Sequence, residues 1–446
     1  MSTPVNTARL ILSRLSIVTI GRLGGAATGL VIQVYLARTL SAEALGGFFL
    51  ASSLAMFLAV AATCGLPLVT TRFVVRYRRR AGGDYSGMFL AFARRATLAA
   101  SLALMVAAAA LILSLPQLPL EERAAYLIGC LAVPGFALAR LSGAAATAYR
   151  RFLLSYLPDL AVRPALFLAA VVAAGTFLPR LDLWLVVAML VVLVTAQAGY
   201  QDMALNRIVR RDVRPSRGLS RLSGLWLKAA LPLTSVALVT ATFADLAILA
   251  SGFFLDRADL AVFGVCVKVT LVAGFVQMTA HKMLQPDLAE ALIASDQRRL
   301  SQTIAQAILI GVGVGLATLL AVAGAGDLVL SAFGEDFVAG RGILRAMLVG
   351  QTVVAAAGPA IQVLTLTRGQ ASAAWASAAA VVCLLAANAL LIPLLGLLGA
   401  AVALVFAQVA WSVLLAVQVR RTTGIACDVL ALAGPPRRSL QMPVSS

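Results

Sequence analysis

The chain of 446 residues is 61% apolar and 12% charged, with a mean hydropathy of +0.96, where an ordinary globular domain is about 45–50% apolar. A water-soluble fold of this length has nowhere to bury so much apolar surface, so the composition excludes soluble classes and points to an all-α polytopic membrane protein. The formal net charge of +18 then reads as the Lys and Arg surplus of cytoplasmic helix ends, not as a nucleic-acid footprint.

Apolar runs of ~20 residues, enough to cross a hydrocarbon core about 30 Å thick, recur about twelve times. They fall near 15–37, 45–65, 92–114, 124–147, 155–178, 183–205, 226–252, 260–284, 303–325, 342–366, 371–393 and 396–418. The first carries Arg9 and Arg14 ahead of it and no small-residue cleavage site, so it is expected to be a retained helix. Pro134, Pro164, Pro232 and Pro359 sit inside spans and predict kinks. With the N-terminus inside, 26 Lys and Arg fall at inner ends, six at outer ends and four within the membrane. Both termini and the Arg-rich connection 206–223 are therefore expected on the cytoplasmic side. The stretches 67–87 and 286–302 each begin with Pro and are expected to form short amphipathic helices on the inner surface. Every outer loop is short, which leaves no room for an extracytoplasmic catalytic domain and argues against an enzyme.

The chain repeats itself. Leu40, Leu45 and Phe48 recur as Leu255, Leu260 and Phe263, an offset of 215 residues in each case. That spacing predicts two halves of one design, 1–222 and 223–422, each a six-helix bundle, with 423–446 as a cytoplasmic tail. Cys64, Cys130, Cys266, Cys383 and Cys427 show no paired spacing and no clustered His or Asp, so neither disulfides nor a metal site are expected.

Five segments in order resemble the multidrug/oligosaccharidyl-lipid/polysaccharide flippase superfamily, in particular its polysaccharide-transporter branch. They are VYLARTLSAEALGGFF (34–49), CGLPLVTTRFVVRY (64–77), LPLTSVALVTATFADLAILASGFF with LDRADLAVFGV (231–265), LVLSAFGEDFVAGRGILRAMLVGQ (328–351) and NALLIPLLGLLGAAVALVFAQ (388–408). The first departs from the family pattern, with Thr-Leu-Ser-Ala-Glu where Gly-Pro usually precedes an acid. The resemblance implies two six-helix bundles around a central cavity that opens to each side in turn. It also implies a lipid-linked oligosaccharide as cargo, typically on undecaprenyl pyrophosphate, in the bacterial inner membrane. No cofactor is implied. Membrane lipids are implied partners, and the polymerase and glycosyltransferases of the same pathway are candidates. A multidrug/cation antiporter and a lipid II flippase of the same fold stand as alternatives, as does, from another class, a membrane polymerase or ligase.

Charged side chains at mid-membrane depth cost about 2.5–3.5 kcal/mol each on insertion scales, so they mark sites facing protein or water. Arg22, Arg140, Arg163 and Lys268 are the four basic residues within spans, and a shared cationic cavity of these four would draw in an anionic headgroup. Three of them also have a plainer reading: Arg22 snorkelling to the headgroups, Arg163 pairing with Asp159 at i, i+4, Lys268 meeting an acid on another helix. Gly21, Gly25 and Gly29 form a small-residue stripe beside Arg22 that is expected to pack on another helix. Asp245 and Asp159 are candidates either for neutralising these cations or for binding a coupling ion.

Overall fold

The computed structural model describes residues 24–25, 27–79, 84–116, 118–212, 223–293, 297–356, 358–366, 369–423 and 427. The described residues are helical almost throughout and include no strand. Ten spans among them are long and apolar enough to cross a membrane. A helical stretch over 24–39 and the 37-residue helix Arg257–Ile293 occupy the places of the first and eighth expected spans. By its internal contacts the chain divides into two compact units, Met1–Leu246 and Ala247–Ser446.

The first unit contains α1 (Ala42–Ala62), α2 (Leu66–Arg79), α3 (Asp84–Leu113), α4 (Leu120–Cys130), α5 (Ala132–Ala148), α6 (Phe152–Leu157), α7 (Arg163–Phe177), α8 (Leu183–Asp212), α9 (Ser223–Ala230) and most of α10 (Thr234–Ser251). Helix α5 is its hub and packs against α1, α2, α3, α6 and α8. Its sequence explains why: Ala, Gly and Ser dominate, and small residues let neighbouring backbones approach closely. Gly135, for example, lies directly under Val194 and Thr195 of α8.

The contact boundary falls inside α10 rather than at the Arg-rich connection because α9 is held by the first unit. Trp226, fully buried, stacks edge-on against Phe89 with centroids 5.4 Å apart, and its Nε1–H donates to Tyr77 Oη at 2.9 Å. Gly65, at φ +70°, lies against the Ala230 carbonyl, an approach no residue with a Cβ permits.

The second unit continues with α11 (Arg257–Ile293), α12 (Gln297–Ser331), α13 (Arg341–Ala356), α14 (Ala360–Leu366), α15 (Gln370–Leu395) and α16 (Leu397–Thr423). Helices α15 and α16 form a hairpin through Gly396 (φ +57°), and Gly399 lets the backbone of Leu391 pass close behind the turn. A buried Ser251 Oγ–H donates to Asn388 Oδ1 at 3.1 Å, tying the end of α10 to α15.

All four prolines expected to kink spans mark interruptions. Pro134 follows the break at Leu131, Pro164 follows a π-helical turn, Pro232 lies in a 3-10 turn, and Pro359 follows Gly358 at φ +67°. The expected break at Pro286 is corrected: helix α11 runs on through that position to Ile293, so 286–302 is not a separate surface helix. Membrane helices tolerate Pro where the freed carbonyl finds another partner. The counterpart at 67–87 does form a helix, α2, with an exposed Arg72 on one side and buried Val69, Phe73 and Val74 on the other.

The repeated turn has one local structure in both copies. Ser41 and Asp256 each follow the leading Leu and cap a helix that starts at the next residue. Ser41 Oγ accepts from the Ala44 N–H at 3.2 Å, and Asp256 Oδ1 accepts from the Asp259 N–H at 2.7 Å. Leu40, Leu45, Phe48, Leu255, Leu260 and Phe263 are all buried. All five cysteines are free, and no metal-ligating cluster occurs among the described residues.

Candidate functional site

The polar centre of the first unit is built on a backbone defect. Proline at 158 removes the N–H that would bond the Leu154 carbonyl, and proline at 164 removes the one due to Leu160. Between them the chain takes a π-helical turn, Pro158–Val162, closed by the Arg163 N–H donating to the Pro158 carbonyl. The two freed carbonyls meet different neighbours. Leu154 O accepts from Gln201 Nε2 at 3.0 Å. Leu160 O lies against Gly25 of the opening helix, where a Cβ has no room. Of the expected glycine stripe, Gly25 thus packs tightly, Gly29 meets nothing within 4 Å, and Gly21 lies outside the described residues.

The turn carries Asp159 and delivers it to two partners. Arg163 Nη1 pairs with Asp159 Oδ1 at 3.3 Å, the i, i+4 geometry the spacing predicts. Gln197 Nε2 donates to the same oxygen at 2.8 Å and also lies 3.2 Å from Gln201 Oε1. The Arg163 guanidinium sits over the Phe136 ring, 5.2 Å from its centroid. Gln197 is 14 residues into the 30-residue helix α8, about 21 Å along it, so this cluster lies near the middle of that helix.

Arg140, on the hub helix α5, feels the carboxylates of both Asp159 and Asp245. Asp245 is held by Ser53 Oγ–H, which donates to Asp245 Oδ1 at 3.1 Å. Three residues before it α10 bends: Thr242 leaves the helical region (φ −138°, ψ 20°) while its hydroxyl bonds the Leu238 carbonyl at 2.7 Å. Four charges of the sequence reading, Arg140, Asp159, Arg163 and Asp245, thus converge in one unit as two cations and two anions. One acceptor of the cluster, Gln197 Oε1, is buried with no hydrogen-bond partner among the described residues.

Of the remaining candidates, Arg22 lies outside the described residues, and Lys268 belongs to the second unit, half-buried in α11. The sequence reading passed over Gln201 and Asp202. The available signal was the run Gln197, Gln201, Asp202 at i, i+4, i+5 in an otherwise apolar helix.

These features describe a polytopic helical protein with a half-buried polar centre, two cations with two anions, beside a helix defect. No family model matches the chain, and no curated protein matches it. Solved structures do. The lipid II flippase MurJ, in an inward closed conformation, superposes with a TM-score of 0.72 at 13% identity over 91% of this chain and 87% of that one. An inward-facing multidrug resistance MATE family transporter of the MOP superfamily gives 0.63 at 13% identity over 89% and 95%. The eukaryotic MATE transporter AtDTX14 gives 0.60 at 14% identity over 92% and 95%. The chain has the fold these flippase and transporter structures share, and none of the three is an enzyme.

Proposed function

We propose that this protein is a flippase that carries a lipid-linked oligosaccharide, on undecaprenyl pyrophosphate, across the bacterial inner membrane by alternating access, supplying surface polysaccharide synthesis. The observation that carries the reading is the pair of guanidiniums, Arg140 and Arg163, beside Asp159 within apolar spans of the first unit, in a fold whose likeness is greater to a lipid flippase than to the multidrug transporters compared with it.

In this reading Arg163 rests on Asp159 until cargo arrives, and Arg140 stays within electrostatic reach of Asp159 and Asp245. A pyrophosphate offers more charge and more acceptor oxygens than either carboxylate, and guanidinium forks bind such groups bidentately. Binding of a coupling ion by Asp159 or Asp245 would release the cations to the headgroup, and loss of that ion would take them back. The carboxylates therefore act as the coupling element, and Gln197 and Ser53 hold them in place. Arg22 and Lys268, the other two basic residues within spans, stay candidates for the headgroup on the sequence alone. The polyprenyl tail stays in lipid, since no protein group needs to bind it.

Expression in cells lacking their own polysaccharide flippase tests the reading. Restored surface polysaccharide without resistance to cationic dyes supports it, and dye resistance without polysaccharide rejects it. The MurJ likeness favours lipid II as a second cargo, and rescue of cells depleted of their lipid II flippase would single that cargo out.

A further inference from the structure

The first unit contains a second polar site on the far sides of the same helices. A cavity of about 390 Å³ opens between α3, α5 and α8, with polar wall groups Arg94, Arg95, Ser142, Asp202 and Asn206 and otherwise apolar walls rich in leucine. At about 100° per residue, Ser142 lies about 200° round α5 from Arg140, and Asp202 about 140° round α8 from Gln197. The cavity is therefore separate from the Arg140 cluster.

Its polar wall is ordered by one buried acid. Asp202, 7% exposed, pairs through Oδ2 with Arg94 Nη2 at 2.7 Å and accepts from Asn206 Nδ2 at 3.1 Å. Arg94 is thus fixed at the cavity rather than swinging free. Arg95, the next residue, makes no ion pair among the described residues, and with one acid against two bases the wall keeps a net positive charge. Ser142, 3% exposed, also lines the cavity and brings a hydroxyl to its wall. Arg94 and Arg95 lie 10 and 11 residues into α3, near the start of its apolar run, on the side that the charge pattern assigns to the inner leaflet.

We propose that this cavity binds the phosphate headgroup of an anionic phospholipid of the inner leaflet. Basic pockets between membrane helices on that side suit such headgroups. Here Arg94, Arg95 and the Ser142 hydroxyl supply donors for phosphate oxygens. The apolar walls accept the first methylenes of the acyl chains. The volume falls within the ~300–1,000 Å³ of small-ligand sites. The inference does not depend on the cargo assigned above.

Native mass spectrometry of the purified full-length protein, titrated with phosphatidylglycerol or phosphatidylcholine, tests it. One phosphatidylglycerol should be retained in preference to phosphatidylcholine. Arg95→Gln, which spares the Arg94–Asp202 pair, should weaken that retention about fivefold, one surface cation's worth. Ser142→Leu should fill the cavity and abolish retention while gel filtration and helix content stay unchanged. Equal retention of both lipids, or wild-type retention by both variants, overturns the proposal. Displacement of phosphatidylglycerol by millimolar inorganic phosphate also overturns it, because the site would then belong to a free anion.

Discussion

Replacing Asp159 with Ala takes one carboxylate from a site where Arg163 has few other places to put its charge. The Arg163 side chain is 18% exposed and that of Asp159 36%. Breaking a fully buried pair by removing one partner costs about 3–5 kcal/mol. Partial exposure and the Phe136 ring beneath the guanidinium lower that to about 2 kcal/mol. Gln197 loses its strongest acceptor but keeps Gln201. For a unit of some 250 residues, a loss of that size lowers the melting temperature by about 4–8 °C. Arg163→Met should cost a similar amount by leaving the carboxylate unpaired. The double variant should cost less than the two singles together, because no uncompensated charge remains. Thermal melts of detergent-purified protein, followed by intrinsic fluorescence, give all three values. A shift under about 1 °C for Asp159→Ala, or strict additivity in the double variant, would refute the view that the two side chains form one structural pair.

Other outcomes follow from the same geometry. Gly25→Val should sharply reduce the yield of folded protein by size-exclusion chromatography, since its Cβ would collide with the Leu160 carbonyl, whereas Gly29→Ala, which meets nothing within 4 Å, should not. Trp226→Ala should lower stability by about 3–5 kcal/mol, the usual cost of emptying a fully buried large aromatic site, read as a lower melting temperature. Cysteines introduced at 216 and 439, both outside the described residues, should label only from the cytoplasmic side; a periplasmic signal at either rejects the topology.

Span number and helix breaks were legible in the sequence because both are local. About 20 apolar residues must be helical in lipid, and a proline must interrupt the backbone ladder. Pro286 shows the limit, since a freed carbonyl ends a helix only where nothing else satisfies it. The charges were legible one at a time, because each is costly in an apolar run. Their pairing was not, apart from Asp159 with Arg163, which lie four residues apart. Ser53 meets Asp245 across 192 residues of chain and Gln197 meets Asp159 across 38, and periodicity carries no signal for such contacts. The charge balance at the centre follows from that packing. Along the chain the bases within spans outnumber the acids, and among the described residues of the first unit two acids stand with two of those bases. The cavity holding Asp202 escaped notice for a similar reason: Arg94 looks like an ordinary inner-end cation until α8 is folded against it.

In the proposed mechanism Arg140 and its neighbours move a pyrophosphate-bearing lipid. The most direct measurement is translocation in vesicles containing the purified protein and a fluorescent undecaprenyl pyrophosphate oligosaccharide, scored by quenching from outside. Wild-type protein should translocate this lipid and should not translocate the same glycan on a neutral polyprenol. Arg140→Ala should slow the rate about tenfold or more, the worth of one charged hydrogen-bond partner, while Arg140→Lys retains more. Equal rates for the neutral lipid, or a wild-type rate for Arg140→Ala, would contradict the account.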